Sequence, residues 1–261
     1  MDNQYNHSNH YSFFKGLLEA HRHLMGENDA KFFERVYLKD LTIYRRRLNA
    51  IGFDAGSRIL DAGCGFGQWV TVMGESFEQV VAVDHAPHRL IILDKILDHL
   101  GIRNVTLQYA DLAALPVEND SFSHVFCYGA LFITDWKQTL REFYRVLQKG
   151  GKLYFTANGL GWYIHLWQNR PNATPDYDPR LNAAKAFYNT GLYNSGQRVD
   201  FGDGSLIIAT DEIADTLKSI GFQDIQIAGE GSIGCPAGEN LSFFQSSYEG
   251  LEGAYEVLAL K

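Results

Sequence analysis

The chain has 261 residues, 46% hydrophobic and 21% charged, which suits one decorated domain or at most two and is enough to bury a sizeable core. Its formal net charge of −8 argues against nucleic acid as the main partner, because phosphate binding calls for a basic surface. Cys64, Cys127 and Cys235 are too few and too scattered for a disulfide framework, the apolar run "VFCYGALFI" falls short of the roughly 20 residues a bilayer span needs, and the first residues lack a signal peptide's charge and apolar core, so a cytoplasmic protein with no membrane partner is expected.

Residues 1–50 place apolar side chains three and four apart, in "FFKGLLEAHRHLM" and "KFFERVYLKDLTIYRRRLNAIGF", and are expected to form an N-terminal helical extension. The "RRR" at 45–47 reads as a solvated helix face. Gly52 and Gly56 break the pattern, and residues 51–261 read as the main domain. "RIL" from Arg58 runs into the glycine-rich "DAGCGFG", after which "GQWVTVMGES" resumes a helical period. Then come a strand at 79–84, a helix in "HRLIILDKILDHLGI" closed by Gly101, and strands at 104–111 and 123–132. "DWKQTLREFYRVLQKGG" reads as a helix capped by Asp135, followed by the strand "KLYFTAN". After Asn158 the alternation stops for about 50 residues, leaving 159–205 as an insertion, before the helix "TDEIADTLKSIGF" and the strands "DIQIAG" and "AYEVLALK". Strands alternating with helices predict an α/β fold, a mostly parallel sheet covered on both faces.

The glycine loop joins a strand to a helix N-terminus, where open parallel sheets bind ligands. A dinucleotide fingerprint, G-x-G-x-x-G, fails from either start, since Gln68 and Val70 fall on its sixth position. The chain gives D-x-G-x-G-x-G instead, with Asp61, Gly63, Gly65 and Gly67. An acid at the strand end suits a ligand carrying an amino group or a positive charge.

"ILDAGCGFG" resembles motif I of the class I S-adenosylmethionine-dependent methyltransferases, and further landmarks follow in order: Asp84 ending the second strand, Asp111 and Leu112 ending the third, and "EFYRVLQKGGKLYF", with Gln148-Lys149 where Lys-Pro is commoner. The resemblance implies a Rossmann-like seven-stranded sheet and S-adenosyl-L-methionine as cofactor. Its site would comprise Asp61, Gly63, Gly65, Gly67 and Gln68 at the loop, Asp84 on the ribose hydroxyls, His85 flanking, Asp111 and Leu112 at the adenine, and Tyr128. The implied function is methylation of a small molecule, on oxygen or nitrogen, in a chain that can pair as a homodimer. A macromolecular (protein or RNA) methyltransferase and a non-catalytic cofactor-binding protein are the alternatives.

In-line methyl transfer demands alignment more than a fixed base, so the catalytic residue stays open, with His165 as candidate. The acceptor is expected at the N-terminal segment with Tyr11, at the insertion with Trp162, Tyr163 and His165 acting as a helical lid hinged at Gly159 and Gly161, and at the long segment 230–253. "HRH" at 21–23 lacks the spacing of paired helical ligands, and no metal is expected.

Overall fold

A computed structural model describes residues 7–38, 41–201 and 204–261, with side chains from residue 11 onward. The chain begins with the helices α1 (His7–His21), α2 (Glu27–Tyr37) and α3 (Thr42–Ala50), so most of the described part of the expected extension is helical; its residues 1–6, 39 and 40 lie outside the described residues. Alternation follows with β1 (Gly56–Ala62), α4 (Gln68–Ser76), β2 (Phe77–Asp84), α5 (Pro87–Leu100), β3 (Val105–Tyr109), β4 (Phe122–Cys127), α6 (Trp136–Val146) and β5 (Leu147–Asn158). The insertion supplies α7 (Leu160–Asn169) and α8 (Pro179–Asn194). The chain closes with α9 (Thr210–Ile220), β6 (Gln223–Gly229), a small hairpin of β7 (Ser247–Tyr248) and β8 (Leu251–Glu252), and β9 (Ala254–Leu260).

Among the described residues, seven strands form one sheet in the order β3-β2-β1-β4-β5-β9-β6. All neighbours are parallel except β9, which runs antiparallel to β5 and β6. This is the expected Rossmann-like sheet. Alternation along the strands feeds two cores: Leu60, Val81, Val83 and Val125 pack with α6 and α9, while Ile59, Val80, Ala82 and Phe126 pack with α3, α4 and α5. From β1 the chain winds outward to β2 and β3, then returns across β1 to β4. The loops after β1 and β4 therefore diverge, which opens a crevice at their C-terminal ends.

Several boundaries depart from the sequence reading. The expected strand 104–111 stops at Tyr109, which leaves Asp111 in the turn that follows rather than at the strand end. The expected strand 123–132 stops at Cys127, because Gly129 takes a φ of +72° and a 3-10 turn follows at Leu131–Ile133. The helix ending in "LQKGG" stops at Val146, because Leu147 turns extended and pairs with Phe122. Asp135 does cap α6, accepting from the Gln138 amide at 3.2 Å.

Arg47 is not part of a solvated face. It is 2% exposed, and its guanidinium pairs with Glu230 and with Glu256 at 2.9 Å while donating to the Tyr154 hydroxyl at 2.6 Å. With Tyr44 and Leu48 it seats α3 in the main core, so this last helix of the expected extension is integral to the sheet domain.

Candidate functional site

The loop between β1 and α4 is tightly folded over β2. The amides of Gly63 and Cys64 both donate to the Val83 carbonyl, at 2.8 and 2.9 Å, and the Gly65 amide donates to Asp84 Oδ2 at 2.8 Å. Gly63, Gly65 and Gly67 have φ of +82°, +57° and +82°, a region that L side chains rarely adopt. A Cβ on Gly63 would overlap Ala130, beyond β4, and one on Gly67 would overlap Leu93 of α5. These glycines therefore admit the neighbouring elements as well as bending the loop. Gly67 caps α4 without a side-chain hydrogen bond, leaving the first-turn amides of that helix for a ligand.

Asp61 is 1% exposed, yet neither carboxylate oxygen has a partner. Burial, with the nearby Asp84 charge, pushes its pKa well above the usual carboxylate range. The Gln68 Oε1 and the Trp69 Nε1, at the start of α4, are also buried without partners. An unpaired acid, an unpaired amide oxygen and an uncapped helix start ask for a ligand bearing both an amino group and a carboxylate. An amino-acid-like moiety fits that donor set.

Asp84 is buried, with Oδ1 accepting from the Ala86 amide at 2.8 Å in addition to the Gly65 bond. A carboxylate offers about four acceptor sites, so two remain for hydroxyls. His85 is exposed on the rim, 3.8 Å from Asp84. Asp111 is exposed and heads a turn, accepting from the Ala113 amide at 2.9 Å, while Leu112 is buried alongside Gly63. Tyr128 stands past β4 with its ring 5.0 Å from Trp69, and its hydroxyl donates to Glu230 Oε1 at 2.7 Å.

The sequence reading missed the roof of this loop, which is α2. Tyr37 donates to the Phe66 carbonyl at 2.7 Å, and Phe32 lies over Gly65. Asp29 fastens α2 to the start of α5 through Arg89 and His88, each at 2.6 Å. "KFFERVY" signals an amphipathic helix, but nothing in its period says what its apolar face covers.

On the acceptor side the structure separates the named residues. Trp162 and His165 of α7 meet the hairpin loop, with Trp162 5.3 Å from Phe244 and His165 stacked on Tyr248 at 4.2 Å between centroids. Partial burial lowers the His165 pKa, and its Nδ1 lies 3.0 Å from the Asn169 amide. Tyr163 departs from the expectation. It is fully buried, packs on Leu166, Ala183 and Ala186, and donates its hydroxyl to the Leu206 carbonyl at 2.9 Å, because, one residue on from Trp162, it lies about 100° further round the helix, toward α8. Tyr11 is 49% exposed on α1. Gly159 and Gly161 have no positive φ; a Cβ on either would strike β8, so they are packing glycines rather than hinges. A groove of about 610 Å³ opens beside His165, with Glu230 and Tyr248 in its wall.

Among the described residues, no group of three or more His, Cys, Asp and Glu side chains is placed to hold a metal ion, and no helix is long and apolar enough to cross a membrane. Cys64 and Cys127 are buried, which pushes both thiols up and disfavours a thiolate nucleophile.

Residues 59–151 match the methyltransferase domain family. A demethylmenaquinone methyltransferase of Listeria welshimeri is 31% identical over 102 residues, covering 38% of this chain and 43% of that protein. A second one, from Anoxybacillus flavithermus, is 24% identical over 56% of each chain. The chain thus spans about half or less of the length of the curated relatives it matches. Among solved structures, a possible histamine N-methyltransferase of Thermotoga maritima superposes with a TM-score of 0.54 at 16% identity, covering 90% of this chain and 95% of that one. The [4+2]-cyclase SpnF superposes with a TM-score of 0.56 at 16% identity, covering 85% and 80%. These likenesses concern the fold.

Proposed function

We propose that this chain, whose residues 59–151 match the methyltransferase domain family, is a class I S-adenosylmethionine-dependent methyltransferase that methylates a small molecule on oxygen or nitrogen by in-line transfer. Bound at the glycine loop, S-adenosylmethionine would supply a methyl group activated on a sulfonium, leaving S-adenosylhomocysteine, with the acceptor's proton passing to water. Asp61 would hold the amino group, the first-turn amides of α4 the carboxylate, Asp84 the ribose hydroxyls, and Leu112 and Asp111 the adenine. Tyr128 and Trp69 would wall the reacting end. Helices α2 and α7 would exclude water and align the acceptor, a positioning effect that contributes roughly 7–11 kcal/mol in favourable cases. A cytoplasmic location and a homodimer complete the proposal.

The observation that carries this reading is the buried Asp61 carboxylate without a partner, beside a glycine loop that fails the dinucleotide spacing. Calorimetry with S-adenosylmethionine, S-adenosylhomocysteine and NAD tests it. Both adenosyl ligands are expected to bind at least tenfold more tightly than NAD, and tighter NAD binding would overturn the reading.

A further inference from the structure

We propose, resting on the methyltransferase reading, that the groove beside α7 takes a neutral, hydroxyl-rich ring compound as acceptor, in preference to a prenyl-bearing or phosphate-bearing one. The groove lies over the C-terminal end of β6, on the same side of the sheet as the glycine loop. Glu230 marks its inner end, and the Tyr128 hydroxyl on Glu230 joins it to the wall made by Trp69. We place the second substrate there on the strength of that contact.

The lining sets the chemistry. Ser232, Asn240, Gln245, Ser246 and Ser247 bring short hydroxyls and amides to one cavity of about 610 Å³. Asn240 Oδ1 accepts both the Ser242 amide at 2.9 Å and the Ser242 hydroxyl at 2.6 Å, so its NH2 is the group it can offer to a ligand. Such a wall leaves a prenyl tail against polar groups that it cannot satisfy, which is the unfavourable side of burial. No lysine or arginine is among the described lining residues, and the acid present, Glu230, accepts from Arg47, Tyr128 and the amides of Phe243 and Phe244. A phosphate would meet no cation there, and a cationic acceptor would find no free carboxylate. The remaining wall is aromatic: Tyr248 stacks on His165, and Phe244 meets Trp162 edge-on. A flat ring can lie on such a wall while its hydroxyls reach the serines and amides. Phenolic and glycosyl rings share this chemistry.

The test uses the full chain saturated with S-adenosylhomocysteine, with saturation-transfer NMR as readout and four probes: catechol, phenyl glucoside, phenyl phosphate and a prenylated naphthoquinol in detergent. Catechol or phenyl glucoside is expected to bind at least tenfold more tightly than the other two, and whichever binds identifies the source of the ring. Gln245→Leu and Asn240→Leu are each expected to weaken that binding about five- to tenfold, the size of one lost hydrogen bond. Neither substitution should alter S-adenosylhomocysteine affinity, which also reports that the variants are folded. Tighter binding of phenyl phosphate or the naphthoquinol, no binding of either hydroxylated ring, or hydroxylated-ring binding indifferent to both substitutions would overturn the proposal. Loss of S-adenosylhomocysteine binding by the unaltered chain would instead overturn the methyltransferase reading on which it rests.

Discussion

Asp61 sits between two demands. Its carboxylate is buried unpaired, with a raised pKa caused by burial and then by Asp84, so its charged form opposes folding. A carboxyl whose folded pKa is raised binds protons more tightly folded than unfolded. The folded state therefore loses stability as pH rises from the unfolded value, 3.8, through the raised one. Asp61→Asn removes the titration. The substitution is expected to stabilise the ligand-free protein by about 1–3 kcal/mol above that window and by little below it. It should also weaken S-adenosylhomocysteine at least tenfold, by removing a charged hydrogen-bond partner worth about 1.5–3 kcal/mol. Thermal melts across pH, paired with calorimetry, check both halves; a variant that loses stability and keeps affinity would reassign Asp61 to the core. The residue type and its place before three glycines were legible in the sequence. That both oxygens lack partners was not, because partners come from elements distant in the chain.

At the scale of elements, the helical period located α7 and α8 but did not say which face turns inward. Trp162 and Tyr163 are neighbours in sequence and differ in burial. The first is half-buried, meeting Phe244 and Tyr248 while also packing on the edge of the seam between the two helices; the second fills that seam. Tyr163→Ala is expected to destabilise the protein by about 3–5 kcal/mol, as large-to-small aromatic changes in cores do. Trp162→Ala should leave the melting temperature within a few degrees and cofactor affinity within a few-fold, while reducing methyl transfer at least tenfold. Equal stability losses in the two variants would place both in the core. The insertion is tied down at several points. Asp176 accepts from the Asn28 amide at 3.0 Å at the start of α2, and Tyr193 donates to Asp135, the cap of α6, at 2.7 Å.

Across the whole molecule, Arg47 links parts of the chain more than 180 residues apart, joining α3 to Glu230 and Glu256. Removing one partner of a buried ionic cluster leaves uncompensated charge and costs about 3–5 kcal/mol. Arg47→Met is expected to lower the melting temperature by about 6–20 °C, using the 2–4 °C per kcal/mol typical of a chain this size. The protein should still melt in a single transition, because α3 shares the core of the sheet. A separate early transition of the N-terminal helices, with Arg47→Met confined to it, would restore the boundary at residue 50.

The sequence by itself determined the α/β alternation, the glycine loop and Asp84 at the end of β2. These are local patterns, set by the two-residue and 3.6-residue periods and by the backbone freedom of glycine. Only the tertiary structure decided that Gly67 makes room for Leu93, that "RRR" hides one arginine among two glutamates, that Tyr163 turns inward, and that α2 roofs the loop. Each of these depends on what stands opposite a residue. That neighbour is supplied by chain closure over long separations, which no local period encodes.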